Sequence, residues 1–139
     1  MDLLRKMQVA RIRRSIEERR RRILLVDDDR LYLTMLADLL CAEGWDVTGV
    51  GSAEAVLERS DLTHFDLAMV DVVLPKLDGI SLVQRLRETP SGAALPIVLM
   101  SSSSPEQMSR SAFDLGCAGF VTKPIDDRIV IETLHRLLD

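Results

Sequence analysis

Five short apolar runs, each followed by a stretch with helical spacing, constrain the fold of this chain more than any other feature. The runs are rich in Val, Ile and Leu and do not alternate strictly with polar residues; they are Ile23–Val26, Val47–Val50, Leu67–Val70, Ile97–Met100 and Phe120–Val121. Strands that are covered on both faces have this composition. Strands that alternate with helices predict an α/β domain, a doubly wound parallel sheet with helices on both faces.

Cap and turn residues mark where the intervening helices begin. Asp78-Gly79 predicts a turn into a helix, and Asp126 can cap the last helix. The stretch from Ser104 to Gln107 combines an N-cap serine, a proline at the first helical position and a capping-box glutamine. These signals predict five helices after residue 23, one behind each strand.

Charge divides the chain into a basic N-terminal segment and an acidic body. Residues 1–22 hold nine basic and three acidic residues, whereas residues 23–139 hold nine basic and nineteen acidic ones. An acidic body argues against nucleic-acid binding by the globular part. We therefore treat residues 1–22 as a basic helical extension and residues 23–139 as the domain.

Composition also bears on the cellular compartment. No run approaches the roughly 18 apolar residues of a membrane-spanning helix, and no apolar block follows the arginine-rich N-terminus as it would in a signal peptide. Cys41 and Cys117 have neither metal-type nor redox-type spacing, which favours free buried thiols in a reducing compartment. We expect a soluble, globular, cytoplasmic protein without a membrane span.

Polar residues follow four of the five predicted strands at the point where each ends. Asp27, Asp28 and Asp29 follow the first strand, Asp71 ends the third, and the fourth and fifth end in Ser101 and Lys123. In a parallel α/β sheet, ligands bind beyond the carboxyl ends of the strands, so these groups share one edge. Singly, each has an ordinary structural explanation: Asp29 as a helix cap, Asp71 as a turn residue and Lys123 as a surface lysine.

Together these side chains suit phosphoryl chemistry on a carboxylate. Clustered carboxylates without histidine or thiolate favour Mg²⁺, which accepts few protein ligands and keeps several waters. A carboxylate beside Mg²⁺ can attack phosphorus and form an acyl phosphate. The metal and Lys123 would meet the charge of the transferring group, and Ser101 could hydrogen-bond its oxygens.

Four motifs carry a resemblance to the receiver domain of two-component response regulators: VDDD, MVDVVLPKLDG, LPIVLMSSS and GFVTKP. The resemblance covers residues 23–138. It implies a flavodoxin-like, five-stranded parallel sheet in the order 2-1-3-4-5 with five helices, to which this chain adds an N-terminal helix. Such domains signal by being phosphorylated and are not enzymes in the usual sense.

The resemblance also implies a role for each acidic residue of the site. Asp71 resembles the phosphoacceptor, and Lys123 the lysine that pairs with the phosphoryl oxygens. Asp28, Asp71 and the backbone carbonyl of Val73 would bind Mg²⁺, and Asp27 would hold the ion largely through water.

Two further residues resemble the conformational switch of the family. Ser101 resembles the small hydroxyl residue that moves toward the phosphoryl group, and Phe120 the aromatic residue that follows it inward. Their movement would change the surface of the domain's fourth helix, fifth strand and fifth helix. Lys123-Pro124 resembles the family's cis peptide. Phe120 could also be a plain core aromatic residue.

The implied partners are a histidine kinase or histidine phosphotransfer protein and a downstream protein effector. Because no output domain follows the last predicted helix, we expect a single-domain regulator that acts by contact. Two alternatives remain: a receiver that serves as an unphosphorylated adaptor, and an aspartate-nucleophile phosphatase of the haloacid-dehalogenase kind. The phosphatase is disfavoured because such enzymes typically carry an acid two residues past the nucleophile, where this chain has Val73.

The N-terminal segment is helical in spacing but has two short apolar stripes instead of one seam. Val9, Ile12 and Ile16 form one stripe, and Leu3, Leu4, Met7 and Ala10 form the other. Three interpretations stay open: a homodimerisation or signalling helix, a solvated linker, and an arm for an anionic partner such as nucleic acid. The absence of aromatic residues weakens the last.

Overall fold

The computed structural model describes residues 2–139, apart from the side chains of residues 17–19. Met1 and the charges of Glu17, Glu18 and Arg19, all counted above as part of the basic extension, lie outside that description. At the centre is a five-stranded, all-parallel sheet in the order β2-β1-β3-β4-β5. Its strands are β1 (Arg22–Val26), β2 (Asp46–Val50), β3 (Leu67–Asp71), β4 (Ile97–Ser101) and β5 (Gly119–Thr122).

The predicted sheet and its strand order are therefore confirmed. Each predicted run lies within a strand, and all five strands extend one or two residues beyond the runs because flanking residues, most of them polar, join the same hydrogen-bond ladder. Arg22 is one example: it is paired with Asp46 in β1 although the sequence analysis assigned it to the extension. β2 is an edge strand, and Asp46 and Gly49 are exposed.

The described part of the chain contains six α-helices. They are α1 (Leu3–Arg19), α2 (Arg30–Ala42), α3 (Ala53–Leu57), α4 (Gly79–Arg87), α5 (Pro105–Asp114) and α6 (Asp127–Leu138), with one 3₁₀ turn at Leu62–His64. The predicted caps are observed: the side chains of Asp29, Asp78, Ser104 and Asp126 each accept a hydrogen bond from a backbone N–H in the first turn. Helices α2 to α6 cover the sheet, and they are the five that the alternation predicted.

The sheet is covered on both faces, which explains why its three central strands, β1, β3 and β4, are apolar along almost their whole length. Alternate residues of β1 point to opposite sides: Leu24 and Val26 pack under α3, α4 and α5, whereas Ile23 and Leu25 pack against α2 and α6. All four are fully buried. The helices of both layers therefore hold β1 rigidly, and with it the acidic residues that follow.

The loop between β3 and α4 passes close to the end of β3. The Gly79 N–H donates to the Val72 carbonyl, and a Cβ atom on Gly79 would lie 2.1 Å from the carbonyl oxygen of Asp71. Only glycine fits such an approach. Lys76 has a positive φ of 62°, which turns this loop sharply. These constraints fix the backbone on one side of Asp71.

Helix α1 stands apart from the packed layers. Its apolar side chains Leu3, Leu4, Met7, Ile12 and Ile16 are between 52% and 73% exposed. Within the described part of the chain, no helix is long and apolar enough to cross a membrane. Both cysteines are free, as expected, but the prediction that they are buried is wrong for Cys41, which lies exposed on α2; Cys117 is half-buried.

Candidate functional site

Asp27 begins the site because β1 carries it into a buried position at the carboxyl edge of the sheet. The side chain is 1% exposed. Its N–H donates to the Val50 carbonyl, which extends the β1–β2 ladder by one residue. Its carboxylate oxygen Oδ1 accepts the Asp29 N–H at 3.0 Å. The backbone thus holds one carboxylate oxygen of Asp27 and leaves the other, Oδ2, for a side chain.

Asp71 occupies the matching position at the end of β3, the strand beside β1. It is 5% exposed, and its Oδ1 accepts the Val73 N–H at 3.0 Å. Burial raises the pKa of Asp71, while Lys123 and the Val73 N–H lower it and the charge of Asp27 raises it further. Two buried carboxylates on adjacent strands therefore need a cation between them.

Lys123 provides that cation. Its ammonium nitrogen lies 2.8 Å from Asp27 Oδ2 and 2.9 Å from Asp71 Oδ2, and its side chain is 23% exposed. Burial lowers the pKa of Lys123, but hydrogen bonds to the two carboxylates outweigh it, and the pKa lies above its ordinary value. The Lys123–Pro124 peptide is cis, as the resemblance implied.

Asp28 completes an acidic cluster that is open to solvent. It is exposed, and oxygens of Asp27, Asp28 and Asp71 all lie within 4.8 Å of one another. Each bonded oxygen of Asp27 and Asp71 accepts one hydrogen bond and keeps a lone pair. An all-oxygen donor set with carboxylates at this spacing fits Mg²⁺, which retains waters beside a few protein ligands.

Ser101 lies at the same edge, at the end of β4. It is 2% exposed, and its hydroxyl oxygen accepts the Ser103 N–H at 3.0 Å. In the β3–β4 ladder Asp71 is paired with Met100, so Ser101 follows the residue beside the acceptor candidate. Phe120 is half-buried on β5, paired with Leu99, two positions nearer the strand start than Ser101. The predicted site residues therefore lie in, or directly after, four adjacent strands: β1, β3, β4 and β5.

The comparisons with known proteins agree with this geometry. The family model of the response regulator receiver domain matches residues 23–135, most of the chain. The chain belongs to the response regulator receiver domain family. Receiver domains are signalling modules of two-component systems, for which phosphorylation and Mg²⁺ are standard, and response regulators act with histidine kinases and downstream effectors.

Three known proteins illustrate what this receiver domain is similar to. A gliding motility regulatory protein of Myxococcus xanthus is 30% identical over 136 residues, which are 95% of this chain and 17% of that protein. The transcriptional regulatory protein CpxR of Escherichia coli is 32% identical over 117 residues, covering 84% of this chain and 49% of that protein. The chain thus spans half or less of these relatives. The chemotaxis protein CheY4 of Vibrio cholerae matches with a TM-score of 0.77 and 25% identity, over 86% of this receiver domain and 99% of its own chain.

Three residues that sequence reasoning missed take part in contacts of this receiver domain. The Tyr32 ring faces the Lys123 ammonium, with 4.4 Å between the nitrogen and the ring centroid. Arg87 donates to five backbone carbonyls of the loops after α4 and α5. His135 joins Glu43 and Asp139 at the opposite end of the sheet. Of these three residues, only Tyr32 could have been found from the sequence, because it lies three residues after Asp29, in the first turn of the helix that Asp29 caps.

Proposed function

We propose that Asp71 accepts a phosphoryl group from a phosphohistidine on a histidine kinase or a histidine phosphotransfer protein. The observation that carries this proposal is the Lys123 ammonium, which bridges Asp27 and Asp71 in a pocket open to solvent beside Asp28. A purely structural ion pair would be satisfied by one carboxylate. Here one ammonium is shared between two buried acids on adjacent strands, within reach of any group attached to Asp71.

The proposed reaction forms one bond and breaks one. A carboxylate oxygen of Asp71 attacks phosphorus, the phosphorus–nitrogen bond of the donor breaks, and the leaving imidazole keeps the electron pair and takes a proton. The Lys123 ammonium can then pass from Asp71 to the new phosphoryl oxygens while it keeps Asp27. The Val73 N–H holds the other carboxylate oxygen in place during the transfer.

Asp27, Asp28, Asp71 and the Val73 carbonyl are the groups that we assign to Mg²⁺. When bound, the ion would neutralise charge that develops on the transferring phosphoryl oxygens. Asp28 is the most available of the three acids, since no hydrogen bond engages its side chain within residues 2–139. Asp27 shares its oxygens with Asp29 and Lys123, which fits a contact to the ion through water.

We assign the switch to Ser101 and Phe120. The new phosphoryl oxygens would attract the Ser101 hydroxyl, which would have to leave the Ser103 N–H. Phe120, half-buried on the neighbouring strand, would move inward and change the surface formed by α5, β5 and α6. An open groove lined by Pro105, Ser109, Phe113 and Phe120 lies on this surface, and Phe113 is 84% exposed. A downstream protein effector would read this change.

The direct test measures uptake of a phosphoryl group or its mimic. Wild-type protein with Mg²⁺ and acetyl phosphate should gain one phosphoryl group in intact mass, and beryllofluoride should bind with one-to-one stoichiometry. Asp71→Asn is the matched control, because it keeps the side-chain shape and removes the nucleophile. Uptake that persists in this variant contradicts the assignment of Asp71, and failure of the wild type removes the proposal.

Two other functions lead to different results in the same experiments. An adaptor that works unphosphorylated would bind its partner equally well as wild type and as Asp71→Asn, with or without beryllofluoride. An aspartate-nucleophile phosphatase would turn over phosphate esters repeatedly. Val73, where such a phosphatase would carry an acid, is 69% exposed and apolar, which favours the receiver.

For α1, we propose a homodimer or signalling contact. Exposed apolar side chains on α1 support an interaction with another molecule. Within the described range they are Leu3, Leu4, Met7, Ile12 and Ile16. Gel filtration of the full chain and of residues 23–139 separates this from a solvated linker, because only a dimerising helix changes the apparent mass by a factor of about two. Salt-dependent DNA binding would indicate an anionic partner instead.

A further inference from the structure

Four contacts at the acidic site link Asp27, Asp29, Tyr32 and Lys123 in a closed cycle. The Asp29 N–H donates to Asp27 Oδ1 at 3.0 Å, and the Tyr32 N–H donates to Asp29 Oδ1 at 3.1 Å. The Tyr32 ring then faces the Lys123 ammonium at 4.4 Å, and that ammonium returns to Asp27 Oδ2 at 2.8 Å. The cap of α2 thus sets the position of the aromatic ring relative to the lysine.

The ring, and not the hydroxyl, is the part of Tyr32 that this arrangement uses. The hydroxyl is buried and lies near the backbone N–H of Ile125 without forming a well-aligned hydrogen bond among the described residues. A buried hydroxyl without a partner costs free energy, so it gives no reason for a tyrosine here. The ring, in contrast, contacts a cation whose side chain is 23% exposed, where an aromatic face attracts an ammonium more strongly than in open water.

The surroundings of Tyr32 keep the ring in place. It lines a cavity of about 130 Å³ with Leu36 and Leu39 of α2 and with Ile125, which follows the Lys123–Pro124 peptide. The ring thus borders a largely apolar cavity, to which Asp127 adds one charged side chain, and faces the Lys123 ammonium. Two carboxylates and one aromatic face therefore surround the ammonium on three sides.

We propose that Tyr32 is a positioning residue that holds the Lys123 ammonium for the phosphoryl group on Asp71. This inference rests on the proposed function of Asp71. When the ammonium exchanges the Asp71 carboxylate for phosphoryl oxygens, the ring contact stays, so the lysine does not have to be ordered again. Losing the ring should weaken phosphoryl binding without weakening the acidic cluster itself.

Three variants of the full chain test the inference. Tyr32→Phe keeps the ring and removes the unpartnered hydroxyl, whereas Tyr32→Leu and Tyr32→Met remove the ring and keep an apolar side chain. Beryllofluoride affinity in saturating Mg²⁺ should stay within about twofold in Tyr32→Phe and fall roughly 3- to 30-fold in the other two. Mg²⁺ affinity without beryllofluoride should be unchanged or higher in all three, because no contact joins the ring to a carboxylate within the described residues.

A second readout does not depend on phosphoryl chemistry. The chain has three lysines, Lys6, Lys76 and Lys123, so selective ¹³C labelling of lysine gives few side-chain signals. An aromatic ring shields nuclei above its face, and the Lys123 Cε and Hε resonances should lie upfield of the other two. This shift should persist in Tyr32→Phe and disappear in Tyr32→Leu and Tyr32→Met.

The outcomes separate this inference from the function on which it rests. Beryllofluoride affinity of wild-type strength in a folded Tyr32→Leu or Tyr32→Met overturns the role of Tyr32, and so does a parallel loss of Mg²⁺ affinity, which would indicate general loosening. An unshifted Lys123 signal in the wild type also overturns it. If wild type shows the shift but binds no beryllofluoride, the proposed function fails, and the role of Tyr32 fails with it although the contact exists.

Discussion

Replacing Lys123 by Met should destabilise the protein strongly when divalent cations are absent. Methionine has a similar length and no charge, so the substitution leaves the carboxylates of Asp27 and Asp71 facing each other. Their side chains are 1% and 7% exposed, and water can screen them little. The lysine is the cation that joins them in the structure.

The magnitude follows from the burial of the three groups. Removing one partner of a buried ion pair typically costs about 3–5 kcal/mol, because a buried charge is left uncompensated. Lys123 is 23% exposed, and Asp71 can take up a proton more readily than an ordinary aspartate because burial raises its pKa. We therefore expect a loss of about 2–4 kcal/mol, which for a domain of this size lowers the melting temperature by roughly 10 °C.

Urea denaturation in EDTA at neutral pH measures this loss. The single tryptophan, Trp45, is 6% exposed and precedes β2 at the end of the sheet opposite the acids, so its fluorescence reports unfolding and not the change of charge at the acidic site. Adding Mg²⁺ should stabilise Lys123→Met more than the wild type, since a dication replaces the missing charge. A Mg²⁺ concentration of a hundred times the dissociation constant adds about 2.7 kcal/mol to the free energy of unfolding.

A second substitution, added to Lys123→Met, tests whether removing one buried carboxylate raises or lowers the free energy of unfolding. Asp71→Asn combined with Lys123→Met leaves one buried carboxylate instead of two, and we expect the double variant to recover about 1–2 kcal/mol over Lys123→Met alone. The asparagine oxygen can still accept the Val73 N–H. If Lys123→Met in EDTA matches the wild type within about 0.5 kcal/mol, or if Asp71→Asn destabilises it further, the electrostatic account is refuted.

Two further predictions concern other parts of the chain. The carboxylates of Glu43 and Asp139 accept hydrogen bonds from the His135 ring and raise the pKa of His135. The stability that these bonds contribute is therefore complete below the unfolded pKa near 6.5 and is lost as pH rises through the folded pKa. Urea midpoints should therefore fall over that range in the wild type and less in His135→Gln; an equal slope in both contradicts the role of His135. Gly79→Ala should cost about 3 kcal/mol or more, because its Cβ would meet a carbonyl oxygen at the end of β3 at 2.1 Å. Gly51→Ala, where nothing lies within 4 Å of the new Cβ, is the matched control and should be nearly neutral.

Local sequence signals were sufficient for the fold class of this receiver domain, whereas the strand order was implied only by the resemblance to the family. The five apolar runs, together with the caps at Asp29, Asp78, Ser104 and Asp126, indicated a parallel sheet with helices on both faces. They succeed because periodicity and capping are properties of neighbouring residues. The edge positions of the candidate site residues follow from the same reasoning, since the carboxyl ends of parallel strands share one edge.

Local signals failed where a contact joins residues far apart in the chain. The Lys123 ammonium contacts Asp27 and Asp71, which lie 96 and 52 positions away in the chain. No rule of sequence spacing predicts which carboxylates a lysine contacts over such separations. Arg87 contacts carbonyls up to 29 positions away, and it is indistinguishable in sequence from a solvated helix arginine. The exposure of Cys41 is another case, because α2 turns that residue away from the sheet.

The sequence by itself determined that polar residues gather at one edge of the sheet, because each apolar strand places the residues that follow it at its carboxyl end and parallel strands share that edge. The tertiary structure alone decided which of three consecutive aspartates does what. Asp27 is buried against Lys123, Asp28 is exposed to solvent within the acidic cluster, and Asp29 caps α2 and thereby positions Tyr32. The physical reason is that successive residues leaving a strand point in different directions, and only the packed neighbours determine what each meets.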